Sequence, residues 1–96
     1  MLPKHRAPIH PGEILDEEFL KPMRVTQTKL AAHLSWPHAK VNELIHGKRG
    51  VTPAVALALS DALGTSAELW MNLQTNYDLW QAMQEHKKRP KLAQTG

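Results

Sequence analysis

Between Gln27 and Arg49 the chain gathers side chains suited to the edges of base pairs and to the phosphates that flank them. His38, Lys40, Asn42 and Glu43 crowd together on what their spacing predicts is the exposed side of a short helix, with the small Ala39 permitting close approach. Asparagine pairs bidentately with adenine, lysine donates to guanine, and an alanine methyl touches the thymine methyl. Gln27 and Thr28 open the preceding helix, where a side chain contacts a phosphate or braces the reading side chains. Lys48 and Arg49 follow the second helix, where a loop runs beside the backbone, and are assigned to phosphates. The expected chemistry is recognition of double-stranded DNA, without bond breaking. The few serines fall at caps and turns, no glycine-rich phosphate loop is present, and no carboxylate pair has apolar surroundings to split its pKa values. Six histidines raise the question of metal, but none forms the i, i+4 pair with a nearby carboxylate or cysteine that a zinc site requires. An enzyme, a metal site and a cofactor are therefore not expected.

These residues need two short helices joined by a tight turn, the second crossing the first steeply. Ala31 is the small residue for the close crossing, Val41 anchors the second helix, and Leu30, Leu34, Leu44 and Ile45 complete the apolar underside. Thr26 caps the first of the pair, Ser35-Trp36-Pro37 breaks it, Pro37 opens the second, and Gly47 suits its C-terminal end. Trp36 reads as a local packing residue of the turn. Upstream, Pro11 begins a helix that Pro22 ends, with Ile14, Leu15, Phe19 and Leu20 inward. Downstream, Thr52-Pro53 starts a helix carried by Val55, Leu59, Ala62 and Leu63 and closed by Gly64. Ser66 begins a longer last helix. The prediction is one all-α domain of five helices over residues 11–86, with an N-terminal arm at 1–10 and a basic tail at 87–96. On the last helix, Trp70, Leu73, Tyr77 and Trp80 form an aromatic-rich stripe that either closes the core or, as assigned here, anchors a dimer.

A chain of 96 residues holds one modest core and no deep pocket. Hydrophobic content of 42% with 22% charged residues is that of a globular domain. The absence of cysteine suits a reducing compartment. No apolar run is long enough for a membrane span or a signal peptide, so the expected location is the cytoplasm. The net charge of +3 is unevenly spread, with acids at Glu13, Asp16, Glu17 and Glu18 and bases at Lys48-Arg49 and Lys87–Lys91. That separation predicts two surfaces for two partners. One recognition helix reads only about four base pairs, so a homodimer reading two half-sites about one helical turn apart is expected.

The run T-Q-T-K-L-A-A-H-L-S-W-P-H-A-K-V-N-E-L-I-H-G-K-R-G resembles the Cro/repressor (XRE-like) helix-turn-helix family. Further blocks, H-P-G-E-I-L at 10–15, V-N-E-L-I-H-G-K-R-G-V-T-P at 41–53, L-G-T-S-A-E-L-W-M-N-L-Q at 63–74 and Y-D-L-W at 77–80, extend the likeness to the HigA-family antitoxins of type II toxin–antitoxin modules. The resemblance implies a lambda-repressor-like fold, autorepression of its own operon, and neutralisation of a HigB-like toxin, a RelE-type mRNA endoribonuclease. On that reading Glu13, Asp16 and Glu17 dock the basic ribonuclease; otherwise they are a solvated helix face. A stand-alone XRE-type regulator without a toxin is the alternative. Ser35 departs from the glycine most members carry in the turn, and a left-handed serine there is expected to strain it by roughly 1 kcal/mol.

Overall fold

The computed structural model describes residues 8–93, and among them every regular element is helical. Helix α1 spans residues 11–23 without interruption, as α-helical Pro11–Ile14, a π-helical segment Leu15–Leu20 and α-helical Lys21–Met23. The π segment answers a pattern visible in the sequence. Ile14 and Phe19, and Leu15 and Leu20, are five residues apart, a spacing a regular α-helix splays by about 140°. The wider i→i+5 turn, closed by the Lys21 N–H on the Asp16 carbonyl, brings both pairs toward one face. It also opens the turn that Pro22 must pass, because proline lacks the N–H and crowds the carbonyl four residues back. Pro22 therefore does not end α1; the helix ends after Met23, where left-handed Arg24 (φ 57°) closes it with the Arg24 N–H on Lys21 and the Val25 N–H on Leu20.

Helices α2 (Gln27–Leu34), α3 (His38–Ile45), α4 (Pro53–Leu63) and α5 (Ala67–Glu85) follow. Their starts are set by local hydrogen bonds. Thr26 Oγ1 accepts from the Lys29 N–H at 3.0 Å, Thr52 Oγ1 from Val55 at 3.2 Å, and Ser66 Oγ from Leu69 at 3.1 Å. Pro37, the expected first residue of α3, is instead its capping residue, so the helix starts one position later at His38.

Helices α2 and α3 pack against each other, α4 against α5, and α1 against the far end of α3 and against α5. Leu15, Leu20, Leu30, Val41, Leu44 and Leu59 are buried at the centre, and Trp70 lies among them fully enclosed. Its ring packs on Phe19 at 5.4 Å and its indole N–H donates to Thr65 Oγ1 at 2.7 Å. The final turns of α5 and residues 86–93 are exposed. No helix of the described residues is long and apolar enough to cross a membrane.

Candidate nucleic-acid interface

Helix α2 must stop abruptly for α3 to cross it. Ser35 supplies the stop in the left-handed conformation (φ 57°, ψ 38°), with its N–H on Ala32 at 3.2 Å and the Trp36 N–H on Ala31 at 2.8 Å. Gly47 (φ 72°) ends α3 the same way, its N–H on Leu44 and the Lys48 N–H on Glu43. Serine bears a Cβ that this conformation penalises and glycine does not. Ala31 is buried at the crossing, and Trp36 is half-buried against the core.

Val41 and Leu44 turn inward, so the opposite side of α3 faces solvent. His38 and Ala39 are exposed there, with Lys40, Asn42 and Glu43 half-exposed. Gln27 and Thr28 stand beside them at the start of α2, and Lys48 and Arg49 continue the surface beyond α3. Several of these side chains are held by partners. The Asn42 amide donates to Gln27 Oε1 at 3.2 Å. Lys40 Nζ sits 4.2 Å from the centre of the Trp36 ring, a cation–π contact. Arg49 donates through Nε (3.2 Å) and Nη2 (2.9 Å) to Glu43 Oε1. A base-reading and a phosphate-binding assignment thus fall on two residues that pair with each other.

Three residues that position this surface were not singled out by the sequence reading. At Gly12 a Cβ would overlap the Leu44 carbonyl oxygen, so only glycine lets α1 lie directly on the end of α3. Gln74, buried on α5, accepts from the Val51 N–H at 2.7 Å and donates to Asp78 at 2.8 Å; this ties the turn carrying Lys48 and Arg49 to α5. His10, placed in the arm by its sequence neighbours, is buried and caps α1, its Nδ1 accepting from the Gly12 N–H at 2.9 Å. Its ring meets Tyr77 edge-on at 4.8 Å. Burial pushes the His10 imidazole below its ordinary pKa, against the opposing pull of Asp78 and Glu13. The clue to His10 was its place before Pro11, and to Gln74 a polar residue on the inward side of an apolar helix.

The aromatic stripe needs correction. Trp70 is wholly enclosed in this chain's own core and cannot anchor a second copy. Tyr77 is spent largely on His10, and Leu73 is half-buried against the core. Trp80 is half-exposed, and its indole nitrogen, shielded from solvent, lacks a hydrogen-bond partner among the described residues. The exposed apolar residues of α5 are Leu69, Leu79 and Met83. The expected stripe keeps Leu73 and Trp80 at the edge of an open face but loses Trp70 and Tyr77 to the chain's own packing, and that face runs on through Leu69, Leu79 and Met83. Glu13, Asp16 and Glu17 are brought together in one shallow cleft beside Ile45 and His46. Lys21 Nζ lies 2.7 Å from Glu17 and 3.6 Å from Asp16, so part of that acidic charge is already balanced. Among the described residues no group of three His, Cys, Asp or Glu side chains is placed to hold a metal ion. The arm and tail assignments at residues 1–7 and 94–96 lie outside the described residues.

No protein-family model matches the chain. It is similar to the virulence-associated protein I of Dichelobacter nodosus, 46% identical over 77 residues that cover 80% of this chain and 71% of that protein. It is also similar to antitoxin HigA-1 of Vibrio cholerae, 39% identical over 88 residues, 91% of this chain and 82% of that protein. Among solved structures, antitoxin GraA in complex with its operator superposes with a TM-score of 0.81 at 39% identity, covering 97% of this chain and 100% of that one.

Proposed function

The chain belongs to the HigA family of helix-turn-helix antitoxins, and on that footing we propose that it is a DNA-binding antitoxin that represses its own operon and neutralises the toxin encoded with it. The observation that carries the DNA half is the set of solvent-facing polar side chains on α3, with Gln27 and Thr28 at the start of α2 and Lys48 and Arg49 beyond its end. Asn42 reads a base while Gln27 holds its amide in place, and Lys40 reaches the neighbouring base pairs from its seat on Trp36. His38 and Ala39 line the contact, and Lys48 and Arg49 bind phosphates. A homodimer joined through the open face of α5 presents two such surfaces to a palindromic operator. The partner toxin is a RelE-like mRNA endoribonuclease, bound through Glu13, Asp16 and Glu17, whose charge opposes that of an RNA-binding cleft. The protein acts in the cytoplasm by binding, not by catalysis. The helical unit over residues 11–86, with His10 as its cap, is the functional head, and residues 87–96 form a basic tail.

Replacing Asn42 with alanine tests the DNA half. Operator affinity should fall by about 1–3 kcal/mol with relaxed base preference at one position; an unchanged gel-shift titration refutes the base-reading role. Co-expression tests the toxin half. A small basic reading frame adjoining the gene should arrest growth alone and be silenced by this chain. Retained DNA binding without rescue leaves a stand-alone regulator instead.

A further inference from the structure

We propose that Glu43 is a specificity-determining residue that acts through Arg49, holding its guanidinium off the phosphates of non-cognate DNA and releasing it only when α3 is seated on the operator. The inference rests on the operator-binding reading above. Arg49 places both Nε and Nη2 on the same carboxylate oxygen, and the fold prepares that pairing. Gly47 turns the chain back in the left-handed conformation and the Lys48 N–H bonds the Glu43 carbonyl at 2.9 Å, which brings Arg49 alongside α3. Among the described residues Lys48 makes no ion pair, so the two adjacent cations differ: one is available at once, the other is held.

Non-specific binding depends on how many phosphates are neutralised across a wet interface. There a phosphate separated from Arg49 by water does not displace a carboxylate of the same chain at 2.9 Å. On the operator, base contacts seat α3, water leaves, and a phosphate comes into direct contact with the guanidinium. Both side chains are close to half-exposed, at 44% and 42%, and such a pair is weak enough to exchange. Glu43 then turns to a base edge, where a carboxylate accepts from the cytosine amino group. The energy of correct base contacts thus opens the pair, and incorrect sequences leave it shut.

The test compares wild type with Glu43→Gln by fluorescence anisotropy over a range of salt. One duplex is the sequence that the wild-type protein enriches from a random pool, and the other is a scrambled duplex of equal length. On scrambled DNA, Glu43→Gln should steepen the salt dependence by about one phosphate contact, a slope change of roughly 0.9, and tighten binding up to about fivefold. On the enriched sequence the slope should stay as in wild type, so the ratio of affinities falls. Adding Arg49→Gln should return the scrambled-DNA slope to the wild-type value. A merely structural role for Glu43 would weaken both duplexes alike and leave both slopes in place; that result, or an unchanged slope on scrambled DNA, overturns the proposal. If the wild type enriches no sequence, the operator-binding reading falls, and the proposal with it.

Discussion

His10 is the residue on which most of the head's geometry converges. It caps α1 through Nδ1, meets Tyr77 of α5 edge-on, and lies against Gly47 at the end of the recognition helix. A protonated Nδ1 can no longer accept the Gly12 N–H, and a positive ring at a helix N-terminus opposes the helix dipole. Because burial holds its pKa below the ordinary value, the unfolded chain takes up the proton first as pH falls. The His10 contribution to stability is therefore complete above about pH 6.5 and is lost progressively below it, down to the lowered folded value. His10→Asn preserves a capping acceptor and does not titrate in this window. Thermal melts from about pH 7.5 to about pH 5.5 should show a steeper loss for wild type than for His10→Asn. Parallel curves would mean that His10 carries no pH dependence. The other histidines are present in both proteins and cancel.

At the scale of elements, Ser35 decides how cleanly α2 stops. The hydrogen bonds that close the turn are in place around it, so the serine is strained and not misplaced. Ser35→Gly should raise the unfolding free energy by at most about 0.6 kcal/mol, the left-handed penalty of roughly 1 kcal/mol less the extra chain entropy of glycine. Urea denaturation reads this directly. A loss of stability in Ser35→Gly would mean that the Ser35 hydroxyl contributes more than its backbone conformation costs. Gly12 is the opposite case, since a Cβ there meets backbone and not a flexible side chain. The contact between α1 and α3 therefore has little room to adapt, whereas the capped turn at Ser35 has some.

For the whole molecule, the decisive feature is α5, which lies against α4 and α1 at its beginning and runs beyond them into solvent. Leu79 is 50% and Met83 54% exposed, and with Leu69 and the outer part of Trp80 they leave an apolar face uncovered in a single copy. Burial of that face between two copies would set the distance between recognition helices, which a half-site spacing requires. The double variant Leu79→Glu with Met83→Glu should weaken self-association at least about tenfold in sedimentation experiments. Its helical circular dichroism should be retained, because neither side chain is in the core. A variant that stays dimeric at wild-type concentrations would place the contact elsewhere on the head.

The sequence by itself determined where the helices begin and end, with two exceptions, and which side of α3 faces solvent. Caps at Thr26, Thr52 and Ser66, the stop at Ser35 and the glycines at 47 and 64 act through hydrogen bonds between neighbouring residues, so their effects are legible locally. Pro22 is a terminator by local rules, and the π turn that lets α1 pass it forms as Ile14, Leu15, Phe19 and Leu20 turn toward one face. The Pro37 offset is a single residue at a cap. The pairing of Glu43 with Arg49 follows from the local turn at Gly47, whereas tertiary structure alone decided the burial of His10 and Gln74 and the rotation of α5 that takes Trp70 into the core. Each depends on the angle at which one helix meets another. Apolar periodicity gives a helix a buried side, but an aromatic stripe as wide as that of α5 fits several rotations. The choice among them was made by Phe19 and Thr65, which offered Trp70 a ring to pack on and an acceptor for its N–H.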